Sequence, residues 1–167
     1  MARIDFNANT ELGKKLRKWW QSLEDDRGQR AELRRAKSVR EVILLPCFQR
    51  SCRQFASIFG RESRWQSRLA LIMGMLAHVQ QMPKDGVSIA KQMARGDKPA
   101  VHPLRFRRLL QCEREELYVA LIRVVRLLDG CANIHDIAKA CFYWSYAVKK
   151  DWAFAYFENV KNSEKEF

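Results

Sequence analysis

One chemistry is present in quantity: cationic side chains in helical register. Arg27, Arg30, Arg34 and Lys37 fall at i, i+3, i+7 and i+10, with Arg35 beside them. Residues three and four apart share a helix face, so a helix here lines up four cations while Leu33 and Ala36 face elsewhere. Like charges at that spacing destabilise an isolated helix by roughly 0.2–0.5 kcal/mol per pair. Such a row suits a bound anion, or it is a solvated surface helix rich in a good helix former. Taken alone, the row weighs equally for both. Further clusters tip it toward an anion: Arg61, Arg64 and Arg68 repeat the spacing, and Arg105, Arg107 and Arg108 oppose Phe106, Leu109 and Leu110.

Other chemistries lack their residues. Cys47 and Cys52 are the only close cysteine pair, with a spacing unlike common zinc sites, and His78, His102 and His135 are scattered. These read as buried thiols and as packed or capping histidines. The acidic clusters Glu24–Asp26 and Glu113–Glu116 are explained by helix capping and the helix dipole, which makes a two-metal nuclease a poor fit. No nucleophile elbow, Walker loop or dinucleotide loop occurs. No cofactor and no metal is expected. Phosphate-backbone binding needs only Lys and Arg along a surface path. Trp144, Trp152 and Tyr156 could stack on bases, but at helical spacing in an apolar segment core is the favoured reading.

The charge balance agrees. The chain has 167 residues, 47% hydrophobic, with net charge +12. Residues 1–110 carry 23 Lys/Arg against 10 Asp/Glu, leaving 8 against 9 for the remainder. The positive field, which suits a polyanionic partner, belongs to the first two-thirds. The polar first ten residues show no secretory h-region, and no apolar run approaches the ~20 residues of a membrane span. With five cysteines, the expectation is a cytoplasmic chain with reduced thiols and no membrane partner.

Apolar periodicity of about 3.6 residues runs throughout, and no stretch alternates with period two. The expected fold is all-α: a compact bundle of roughly eight or nine helices with a basic surface groove. A single domain is expected over residues 1–160, its N- and C-terminal halves sharing one core, with a frayed tail at 161–167. Helices are expected from Leu12 to Leu23, over the basic stretch, on both sides of Pro46 and from Arg61 to Gln80. Others are expected as two turns near Val87–Met93, at Leu104–Leu110, from Glu113 to Leu128 and as two aromatic-rich helices after Ile134. Gly28 is read as the break before the basic helix, with Asp25 or Asp26 as its cap, and Gly130 as the C′ glycine of the Glu113 helix.

Several stretches, in order, resemble the CasB family, the small subunit of the type I-E CRISPR effector complex Cascade. Trp20 and Leu23 are followed by Gly28, Arg30, Ala31, Leu33, Arg34 and Arg35. Next come Leu69–His78, then Gly86, Ser88 and Ile89 with Met93 and Ala94. Leu104–Leu110 is the most specific match. Trp144, Val148–Trp152, Tyr156 and Phe157 end the pattern. The resemblance implies an all-helical, non-enzymatic subunit, present as paired copies in a crRNA-guided complex. It implies contacts to other Cascade subunits and help in holding the R-loop, especially the displaced non-target strand of the target DNA. Arg30, Arg34, Arg35, Arg105, Arg107 and Arg108 are the matching cations, expected to line one groove, with Arg27, Arg64 and Arg68 beside them. The alternative is a stand-alone helix-turn-helix regulator of duplex DNA.

Overall fold

The computed structural model describes residues 3–60 and 62–161. Among them lie eleven helices: α1 Glu11–Ser22, α2 Arg27–Arg35, α3 Val39–Ile43, α4 Pro46–Arg53, α5 Ala56–Phe59, α6 Trp65–Leu76, α7 Ile89–Ala94, α8 Pro103–Gln111, α9 Arg114–Leu127, α10 Ile134–Phe142 and α11 Tyr146–Asn159. The all-α expectation holds. The larger count comes from short pieces such as α5, a single turn of four residues. Among the described residues the only β pairing is an isolated parallel bridge between Gln81 and Cys131.

The fold is built around α6. Nine of its twelve residues are buried, from Trp65 through Leu76. A helix apolar on every side must be covered on every side, and α2, α3, α4, α9 and α10 surround it. At Gly74 the packing leaves no room for a side chain: a Cβ would lie 2.8 Å from Tyr118 Cε2 and 2.9 Å from Val42 Cγ2. No other residue lets α3 and α9 come so near. Buried apolar residues from Phe6 to Val160 form one cluster. It includes Phe59 stacked on Trp65 and Phe142, with ring centroids 5.2 and 5.5 Å apart.

Four boundaries differ from the sequence reading. Gly28 lies inside α2; the chain turns instead at Leu23–Asp26, and Asp26 caps α2 by accepting from Gln29 N at 3.0 Å. Lys37 lies beyond α2, because Ala36 is already extended at ψ 123°. The Arg61–Gln80 helix begins only at Trp65. Arg64 is its N-cap in the left-handed region, at φ 60°, so the helix does not run back through Arg64 although Arg68 N still donates to Arg64 O at 3.2 Å; Arg61 is outside the described residues. At the end of α9 the C′ position belongs to Asp129, also left-handed at φ 57°, and Gly130 follows it. Gly130 N donates to Val125 O at 3.0 Å and Asp129 N to Arg126 O at 3.1 Å, the paired bonds of a Schellman motif. Residues 162–167 of the expected frayed tail also lie outside the described residues, while Lys161 reaches Asp97 at 3.3 Å.

Candidate nucleic-acid interface

The α2 cations are held from below by Leu33, which is fully buried. Arg27, Arg34 and Arg35 are exposed around it, whereas Arg30 is half-buried. Arg30 Nη2 donates to Val79 O at 3.3 Å, and Trp20 Nε1 donates to the same carbonyl at 2.9 Å. Arg30 and Trp20 therefore tie α2 and α1, respectively, to the segment that follows α6. Past α2 the chain turns through Lys37, and Ser38 caps α3 by accepting from Glu41 N at 3.2 Å.

This turn opens the main cationic feature, a cleft of about 560 Å³ between α3, α6 and α9. Its rim carries Lys37, Arg40, Arg64, Arg68 and Arg114, against one acid, Glu115. Its floor is apolar, made by Val39, Ile43, Leu71 and Val119 with Tyr118. Arg68 lies over the Phe142 ring, 5.1 Å from its centroid. Arg114 Nη2 donates to Phe142 O at 3.2 Å, and its Nε is buried without a hydrogen-bond partner among the described residues. Burial first, and then the charge of Arg68, push the Arg114 pKa down. Cations thus crowd one another here with little acid between them.

A second cationic group lies at the other end of the same helices. His78 follows α6 and is flanked by Arg34 and by Arg126 of α9. Burial, then these two charges, hold its pKa down at about 4. Its Nε2 is buried without a partner among the described residues. Arg64 and Arg68 adjoin Arg114 where α6 and α9 begin, and His78 adjoins Arg126 where they end. The two helices therefore run in the same direction, with cations at both ends of the pair.

The α8 cluster stands apart. His102 caps this helix, its Nδ1 accepting from Leu104 N at 3.2 Å. Phe106 anchors it, stacked on Tyr156 with centroids 3.9 Å apart. Arg105, Arg107 and Arg108 are exposed. Arg107 borders a shallow hollow with Leu110, Gln111 and Phe157, and none of the three lines the cleft.

Of the sequence candidates, then, Lys37, Arg64 and Arg68 converge on the cleft. Arg27, Arg34 and Arg35 stay on α2, and Arg105, Arg107 and Arg108 on α8. Sequence reading missed Arg40, Arg114 and Arg126. Arg114 is hidden in an acidic run, yet it opens a helix whose apolar stripe was plain, and that stripe places it on the edge facing α6. The core reading of the aromatics holds: Trp144, Trp152 and Tyr156 are 8%, 7% and 0% exposed. All five cysteines are free, three of them buried. Among the described residues no three His, Cys, Asp or Glu side chains group as a metal site.

Fold and surface together define a small all-helical protein with a cation-rich exterior and a basic-rimmed cleft. The chain belongs to the Cse2 family: residues 29–157 match the family described as CRISPR-associated protein Cse2. Cse2 is the CasB family of small Cascade subunits, the one its motifs resemble. A chain in the crystal structure of E. coli Cascade bound to a PAM-containing dsDNA target shares the fold, with TM-score 0.70 and 18% identity over 87% of this chain and 94% of that one. No curated protein sequence matches the chain.

Proposed function

We propose that the chain is a non-catalytic structural subunit of a crRNA-guided type I-E surveillance complex. In this reading it stabilises the R-loop by holding phosphates of the displaced non-target strand. The observation that carries it is the state of the cations. Arg34, Arg35, Arg40, Arg64, Arg105, Arg107 and Arg108 are exposed and form no ion pair with another described residue. Guanidinium groups on several faces with no carboxylate partner among the described residues suit a polyanion that wraps the surface, and each neutralised phosphate releases counterions. Backbone contacts fix a strand without reading its sequence, which leaves sequence to guide pairing. The partners in this reading are crRNA, target DNA, the other Cascade subunits and a second copy of the chain, in the cytoplasm. A helix-turn-helix regulator fits less well, because α3, which follows the turn after α2, has only five residues. Among the described residues, no helix is long and apolar enough to cross a membrane.

The test is target-DNA retention by the type I-E complex assembled with this chain or with its Arg34→Glu, Arg108→Glu variant, at two salt concentrations. The expected result is faster loss of DNA with the variant, the difference shrinking as salt rises. Equal retention at both salt concentrations, with the variant fully incorporated, overturns the reading.

A further inference from the structure

A track of cations accounts for phosphate binding, but not for an apolar floor beneath it. In the cleft between α3, α6 and α9, Val119 is 46% exposed, and Val39 and Ile43, which line the same cleft, are half-buried. The volume of about 560 Å³ lies within the roughly 300–1,000 Å³ of small-molecule pockets. An occupant that matches both parts has a flat apolar face and negative charge at its edge.

Resting on the strand-binding reading above, we propose that this cleft takes one unstacked base of a single strand. The floor of Val39, Ile43, Leu71 and Val119 covers the base, and Lys37, Arg40, Arg64 and Arg114 hold the flanking phosphates. A duplex cannot use the floor, because its bases are stacked and paired. The first turn of α6 also opens here, with Ser67 on the lining and no capping bond from the Arg64 side chain, so its amides add positive potential. An acidic peptide is the competing occupant. The strand is favoured because cations recur as Arg34 and Arg126, on either side of His78, at the far end of α6 and α9. A repeating anion can follow them, whereas a short acidic segment cannot.

The experiment compares the full chain binding a thymidine oligonucleotide with an abasic oligonucleotide of equal length and charge. The wild type is expected to bind the thymidine strand at least about fivefold tighter, the scale of one buried base. Val119→Gln, which replaces the apolar floor without changing charge, closes that gap by weakening the thymidine strand alone. Arg40→Gln weakens both strands alike. Equal wild-type affinity for the two strands overturns the base-binding inference and leaves the phosphate reading standing. Failure to bind either strand overturns both. If a peptide of glutamate and phenylalanine binds in a Val119-dependent manner while the thymidine preference is absent, the occupant is a protein segment and the inference falls.

Discussion

Tyr118 Oη donates a 2.7 Å hydrogen bond to Ala36 O, joining residues 82 positions apart. Ala36 is the C-cap of α2, where the backbone turns extended, and the next residue is Lys37. This one bond therefore fixes where the basic helix stops and where the cleft's α3 wall begins. Tyr118 also lies against Gly74, so α9, α6 and the end of α2 meet at one ring. Burial pushes the phenol pKa up to about 12, so the phenol stays a donor across the neutral range.

Tyr118→Phe keeps the ring and removes the donor. It leaves a carbonyl in the interior without this partner, which costs roughly 1–3 kcal/mol. The expected outcome is a lower midpoint in denaturant unfolding with unchanged m-value. Hydrogen exchange should rise around residues 36–41, ahead of the rest of the fold. An unchanged midpoint would show that water satisfies the carbonyl instead.

Gly74→Ala tests the crossing itself. In an open helix this change would be favourable by about 1 kcal/mol. Here the new methyl meets Tyr118 and Val42, both buried and neither free to swing away. Overpacking of this kind costs typically 1–3 kcal/mol, which outweighs the propensity gain. Thermal unfolding should therefore move down by several degrees. A rise would show that α9 can shift outward.

The long elements were legible because their stripes are wide. Leu117, Leu121 and Val124 of α9 are all buried as their spacing requires, and α1 and α8 follow the same logic. The start of α6 was not legible. Arg61, Arg64 and Arg68 have the spacing of a helix face, but spacing does not report handedness, and Arg64 adopts a left-handed turn. The cleft was legible only in part. Its cations come from the α2–α3 turn, α3, the start of α6 and the start of α9, and nothing local in the sequence says that those four places converge. Arg30 shows the converse. It belongs to the most conspicuous row in the sequence, yet its guanidinium is turned inward to Val79 O.

Arg64 holds a left-handed backbone that costs a residue with a Cβ roughly 1–2 kcal/mol. Glycine would adopt it freely. Arg64→Gly is thus expected to raise unfolding stability by about 1 kcal/mol while removing a cation from the cleft rim. If that cation contacts a phosphate, the slope of log affinity against log salt should become shallower by about 0.7 for a single strand. Greater stability combined with a shallower slope would show backbone strain retained for binding. Lower stability would mean that the Arg64 side chain supports the turn.

His78 sets the acid limb of stability. Unfolded, the imidazole takes up a proton at its ordinary value of 6.5; folded, it remains neutral until about 4, because burial and then the charges of Arg34 and Arg126 oppose its protonation. Between those values the unfolded chain binds more protons, so stability falls as pH drops from about 6.5 towards 4 and levels off below. His135 is also depressed, chiefly by burial, and adds a slope of the same sign. Chemical denaturation measured across this range should therefore show a steep limb in the wild type. It should be shallower, though still present, in His78→Gln. The same flanking arginines make the effect responsive to ligand: a phosphate bound between Arg34 and Arg126 offsets their charge and raises the His78 pKa. Following the imidazole by NMR with and without a single-stranded oligonucleotide checks this directly. An upward shift on binding puts the strand at this end of α6 and α9, and an unmoved titration places it elsewhere on the surface.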